Sequence, residues 1–228
     1  LKEKLADAKT KLFSDLGYRL NGVVHIGAHH GEEVDSYFEM EHASVFLFEP
    51  NRKAVSFLFK RFAGKYPGLY IYPIALGKKD ETRDLFIPQH LHAETDDSQS
   101  ASLLLPDYSS PYGWGERGKR FRRTTCSVST FSSWRRTLGM RELQSLNECN
   151  TLVVDTQGTE LDVLQGIGLI DLAQFHFLNI ECSKVPIYQG GAPASQVIDY
   201  LATFGYTPLP ETPVSEHDDI LFIHRSVK

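Results

Sequence analysis

Two short stretches hold most of the groups able to do chemistry. In the first, the apolar run Val23 to Ile26 leads into Gly27-Ala28-His29-His30-Gly31, and a second apolar run, Val45 to Phe48, ends on Glu49-Pro50. A glycine turn lets a ligand approach the main chain and the first turn of a following helix. Glu49, roughly 20 residues on, can accept hydrogen bonds from both hydroxyls of a ribose. Together these features fit a nucleoside-containing cofactor, an adenosine in particular. In the second stretch, TLVVDTQGTELDVLQG, Asp155 ends an apolar run, and Glu181 ends another at Phe177 to Ile180. Carboxylates at the ends of adjacent strands could converge on one acceptor hydroxyl, one as base and the other as orienter of an in-line displacement. His29 is a further catalytic candidate and His30 a substrate contact, since both sit in the cofactor turn.

Each of these residues also has a plain structural role open to it. Asp155 could cap the helix that follows, Glu181 could pair with Lys184, and Glu160 could favour its helix start through the macrodipole. A dinucleotide site wants Gly-x-Gly-x-x-Gly, with the second glycine admitting a pyrophosphate. Here two glycines stand four apart with no third, which counts against NAD, although an NAD-dependent oxidoreductase stays the rival enzyme class. A turn without the pyrophosphate notch fits S-adenosylmethionine, which presents a carboxylate and an ammonium instead. Adjacent histidines on a turn seldom converge, so no metal is expected at His25, His29 and His30.

These groups need a scaffold to hold them. Apolar runs of strand length recur at Val23 to Ile26, Val45 to Phe48, Leu69 to Ile74, Leu152 to Val154, Phe177 to Ile180, Tyr206 to Leu209 and Ile220 to His224. Helical patterns fall between them at Glu32 to Met40, Arg52 to Phe62, Glu160 to Leu164 and Ala194 to Phe204. That alternation predicts a mostly parallel seven-stranded α/β sheet covered on both faces, with ligands outside the carboxyl ends of its strands. An amphipathic leading helix is expected over residues 1–17. The stretch from Thr82 to Asn150 is too long for a simple crossover. It reads as an inserted, substrate-facing lobe with strands at Thr82 to Ile87 and Phe121 to Thr130.

At 228 residues the chain is most economically one domain. A net charge of −5 argues against a global nucleic-acid-binding surface. Three widely spaced cysteines without a Cys-x-x-Cys pair read as buried reduced thiols. No apolar stretch has spanning length and no signal-like run is present, so a cytoplasmic location is expected; the start at Leu1 is consistent with a piece of a longer protein. One local exception to the acidic balance is ERGKRFRR, residues 116–123, with five positive charges against one negative. It is either a solvated strand edge or a site where Arg117, Lys119 and Arg120 hold an anionic acceptor while Tyr112 and Trp114 stack on a ring.

The motifs VVHIGAHHGEE, FLFEP, YPIALG, QSASLLLP, VVDTQGTELDVLQG and FLNIECSKVPIYQGG, in this order, resemble the FkbM family of S-adenosylmethionine-dependent methyltransferases. The resemblance spans about residues 23–224 and implies a Rossmann-like methyltransferase fold. It places Gly27, Ala28 and Gly31 on the methionine part of the cofactor, Glu49 with Pro50 on the ribose, and Ile74 and Ala75 beside adenine. Asp155, Gly158 and Glu160 then stand at the mouth of the acceptor site. Many members have Asp where this chain has His25, and Asn where it has His29; a His-x-Gly-Ala-His branch is familiar, and His25 is kept as a cofactor contact. The implied reaction is methyl transfer to a hydroxyl of a carbohydrate or other secondary metabolite. A recognition module that binds the cofactor without catalysis is the alternative. A magnesium site on Asp155 and Glu181, as in catechol-type methyltransferases, lacks an evident third oxygen ligand.

Overall fold

The computed structural model describes residues 21–40, 44–89, 97–110, 120–209 and 216–227. The expected leading helix over residues 1–17 lies outside them. Strands β1 (Gly22–Ile26), β2 (Ser44–Phe48), β3 (Leu69–Tyr72), β7 (Thr151–Val154), β8 (Phe177–Ser183), β9 (Tyr206–Pro208) and β10 (His217–His224) form one sheet. Its order is β3-β2-β1-β7-β8-β10-β9. All pairings are parallel except those of β10, which runs antiparallel to β8 and β9. β1, β2 and β7 are buried along their whole length, as expected of central strands built from branched and aromatic residues with helices on both faces.

The chain builds outward from β1 to β2 and β3, then returns to place β7 on β1's other side. That reversal opens a crevice beyond the carboxyl ends of β1 and β7, where α/β sheets bind ligands. Helices α1 (Val34–Glu39) and α2 (Arg52–Phe62) follow β1 and β2. Ala54, Val55, Leu58 and Phe62 form the buried stripe of α2, and Asn51 caps it by accepting from the Lys53 backbone N–H at 3.2 Å. Helices α3 (Phe131–Arg135), α4 (Met140–Glu148), α5 (Glu160–Leu172) and α6 (Ala194–Thr203) complete the described helices.

Three expectations are corrected. The run Leu69 to Ile74 is not one strand, because Pro73 has no N–H for a ladder, and the chain resumes pairing at β4 (Ala75–Leu76) in another sheet. The helix foreseen at Glu160 to Leu164 continues to Leu172, with a break in helical geometry at Gly168. The stretch from Thr82 to Asn150 is two structures rather than one. Its first part, β5 (Glu81–Pro88) and β6 (Phe121–Ser129), joins β4 in a small sheet of order β4-β6-β5. Its last part is α3 and α4, whose Phe131, Trp134 and Leu146 belong to the core of the main sheet. Phe131 is fully buried and packs edge-on against Trp134 and Phe175, with ring centroids 5.1 and 6.2 Å away. Phe131→Ala is therefore expected to cost about 3–5 kcal/mol in urea denaturation, where a residue of a peripheral lobe would cost far less.

Candidate active site

The crevice is built on a close approach of β1 and β7. Gly27 has φ of +90°, and a Cβ there would lie 1.7 Å from the Asp155 carbonyl oxygen. Glycine is therefore demanded by the turn's positive φ and by the neighbouring strand, besides any ligand. The turn is held from the other side as well: the Gly27 and Ala28 N–H groups both donate to the Phe48 carbonyl, at 2.9 and 3.0 Å. Gly31 lines neither cleft described below; it packs beneath Leu58, Phe62 and Val34.

Glu49 is clasped by main chain. Its Oε2 accepts from His29 N at 2.8 Å and its Oε1 from Asn51 N at 2.7 Å. The side chain is buried, and loss of water pushes its pKa up to about 7 against the pull of those two N–H groups. A carboxylate has about four acceptor positions, so both oxygens keep capacity for two ribose hydroxyls. Beside it lies a cleft with apolar walls from Phe48, Ile74 and Ala75 on one side and Leu85, Ala101 and Leu103 on the other. Pro50 also lines it. Apolar walls above one buried carboxylate fit a flat base carrying a ribose. The Gln99, Ala101 and Leu103 contribution was missed in the sequence, although all three stand in the motif QSASLLLP.

A second cleft shares Gly27, His29, Gln99 and Asp155 with the first and continues over β7, β8 and β10. Its lining is polar and acidic: His25, Glu32, Glu33, Asp155, Gln157, Glu181 and His217, with Ala28 at the turn. Asp155 and Glu181, expected to converge, meet through Gln157, whose Nε2 donates to Asp155 Oδ1 at 2.8 Å and to Glu181 Oε2 at 2.5 Å. Burial, the Glu181 charge and a hydrogen bond with Glu181 hold Asp155 well above the ordinary carboxylate range. His217 Nε2 lies 3.1 Å from Glu181 Oε1, and its Nδ1 is 2.7 Å from Ser183 Oγ. Sequence reasoning missed Gln157 and His217; the first carries no charge and the second begins a strand recognised only from Ile220.

Glu160 turns back onto its own loop, accepting from Thr156 N at 3.0 Å and Gly158 N at 2.9 Å. Its carboxylate thus shapes the Asp155–Thr159 turn. His25 is buried with Nδ1 3.1 Å from the Tyr37 hydroxyl. His29 Nδ1 is 2.8 Å from Glu32 Oε1, and its ring stacks on His30 at 3.7 Å. Burial pushes Glu32 up, but the His29 hydrogen bond, its own backbone N–H and the imidazole charges bring it down to about 2. Ligand atoms of His29, His30 and Glu32 lie within 4.8 Å of one another. Stacked imidazoles aim their in-plane lone pairs side by side, whereas a bound ion needs them aimed at one point about 2 Å away. His30 lines neither cleft and also leans on Phe57 at 4.4 Å. Arg120 is exposed, its carbonyl accepting from Gln89 N at 2.9 Å. Tyr112, Trp114, Arg117 and Lys119 lie outside the described residues.

A turn beside a buried acid, an apolar cleft and an acidic cleft meeting at β1 and β7 is a scaffold on which a family comparison can be read. The model of the methyltransferase FkbM domain matches residues 25–208. The chain belongs to that family. It is accordingly an S-adenosylmethionine-dependent methyltransferase by family. No curated protein matches it in sequence. Among solved structures it is similar to magnesium protoporphyrin IX methyltransferase from Synechocystis PCC 6803 with bound SAM, at 9% identity, covering 98% of this chain and 79% of that one, TM-score 0.49. It is also similar to a ribosomal protein L11 methylase from Lactobacillus delbrueckii subsp. bulgaricus, at 8% identity, 97% and 78% coverage, TM-score 0.49. Among the described residues no helix is long and apolar enough to cross a membrane.

The apolar lining beside Glu49 matches an adenosine in character, and the acidic lining matches an ammonium, the two ends of the family's cofactor. A ribose held by Glu49, as the family resemblance implies, would bond best to the ionised carboxylate, which burial pushes up to about 7. Affinity for S-adenosylhomocysteine should hold above pH 7 and fall below it, approaching tenfold per pH unit at the limit. Calorimetry across this range checks it, and Glu49→Gln should remove this component of the pH dependence.

Proposed function

We propose that this FkbM protein methylates a hydroxyl oxygen on a carbohydrate or other polyhydroxylated secondary metabolite. The observation that carries this reading is the Asp155–Glu181 pair, of which Asp155 lines both clefts and Glu181 the acidic one. S-adenosylmethionine supplies an electrophilic methyl group, whose carbon–sulfur bond breaks with its electrons on sulfur. The acceptor oxygen must lose its proton as the new carbon–oxygen bond forms, and the carboxylate pair is placed to take it. Burial and the neighbouring Glu181 raise the proton affinity of Asp155 well above that of an ordinary carboxylate, as suits a base. Glu49 and the main chain of the glycine turn bind the donor, and His29, between the two clefts, lies beside both substrates.

The acidic lining favours an uncharged hydroxylated group at the reacting end of the acceptor. An anionic portion, if the acceptor has one, would be read by the basic run instead.

Transfer of labelled methyl from S-adenosylmethionine to a library of sugars and glycosides tests the proposal. Tight cofactor binding without turnover on any acceptor would favour the recognition-module reading. Asp155→Asn and Glu181→Gln are each expected to slow methyl transfer by on the order of 10²-fold or more, with S-adenosylhomocysteine affinity little changed. Equal loss of binding and turnover would point to a structural role for the pair.

A further inference from the structure

We propose that Gln157 is the positioning residue of this site, its side-chain amide holding Asp155 and Glu181 together in the place that a divalent cation would otherwise take between two carboxylates. One nitrogen donates to both acids, at 2.8 and 2.5 Å. The orientation of the amide is set from behind. The Tyr188 hydroxyl donates to Gln157 Oε1 at 2.7 Å, so a flipped amide would lose that bond and turn its oxygen toward two carboxylates.

The backbone of Gln157 is constrained too. It has φ of +58°, a left-handed conformation that residues other than glycine rarely adopt. Three contacts hold it there. Ser102, from the small-sheet side, donates to the Gln157 carbonyl at 2.6 Å; Glu160 binds the N–H groups of Thr156 and Gly158 on either side; and Gly158 packs against the Tyr188 ring. Strain held at a cleft by several independent elements marks an aimed side chain.

The chemistry asks for such a group. Lining the cleft with the pair are His25 of β1, His29, Glu32 and Glu33 of the following turn, and His217 of β10, where Asp219 stands opposite Glu181; Tyr37 of α1, Glu49 after β2 and Glu160 of α5 feel the Asp155 charge. Among so many acids, two bare carboxylates would repel. A lysine between them would cancel the charge needed to accept a proton. A neutral donor steadies the pair without cancelling the charge that accepts the proton. This inference rests on the pair being the reactive group, but its test needs no acceptor.

The test is a carbon-13 NMR titration of the full chain labelled at Asp and Glu carboxyls. Gln157→Met removes the donor with little change of volume and should raise the Asp155 midpoint by about one pH unit, a tenfold gain in proton affinity. Tyr188→Phe frees the amide and should move it in the same direction by less. Millimolar magnesium should leave the Asp155 and Glu181 signals of the unsubstituted protein in place. An unchanged midpoint in Gln157→Met with a native amide spectrum would overturn the proposal, as would a magnesium-induced shift. If Gln157→Met does not fold, an unchanged midpoint in Tyr188→Phe decides against it. Failure to find an acceptor would count against the methylation reading and leave these results standing.

Discussion

The contact on which the site depends is the approach of Gly27 to the carbonyl of Asp155. A Cβ at Gly27 would sit 1.7 Å from that oxygen, so any other residue would push β1 and β7 apart at their carboxyl ends. The Asp155 N–H meanwhile donates to the Ile26 carbonyl at 2.9 Å, drawing the same two strands together. Attraction through one peptide group and absence of a side chain at the next bring the glycine turn and Asp155 into a common crevice.

Carboxylates then accumulate in that crevice, each stabilised differently. Glu49 is held by two main-chain N–H groups from separate segments, so it fixes the turn while keeping acceptor capacity for a ligand. Glu160 spends its oxygens on the loop that carries Asp155 and Gln157. Asp155 and Glu181 share a single amide donor. In a site with little water these differences decide charge: main-chain donors favour the anion, and burial beside another acid favours the proton.

The small sheet links specificity to chemistry. Leu85, Ala101 and Leu103 wall the apolar cleft, while Ser102, between two of those residues, binds the main chain of Gln157. Ser102 itself is fixed by paired backbone hydrogen bonds with Phe86, at 2.8 and 3.0 Å. The segment that encloses one cleft therefore also supports the residue that arranges the acids of the next.

Much of this was legible in the amino-acid order alone. Runs such as Val45 to Phe48 and Leu152 to Val154 announce central parallel strands because both faces must be apolar, and Arg52 to Phe62 shows its helix through a buried stripe. Acids at strand ends are legible for a related reason: a charge that interrupts an apolar run must stand where the run meets solvent or a ligand. α3 has only five residues and α4 buries only Leu146, so neither shows the repeated buried stripe that reveals Arg52 to Phe62, and Pro73 divides a run that looks continuous. Only the tertiary structure decided that Gly27 answers to Asp155, that Ser102 reaches Gln157 across 55 positions, and that His217 stands beside Glu181. Local pattern records how each residue meets its own strand or helix, whereas hydrogen bonds between neutral side chains and distant main chain leave no periodic or compositional trace until the sheet has closed.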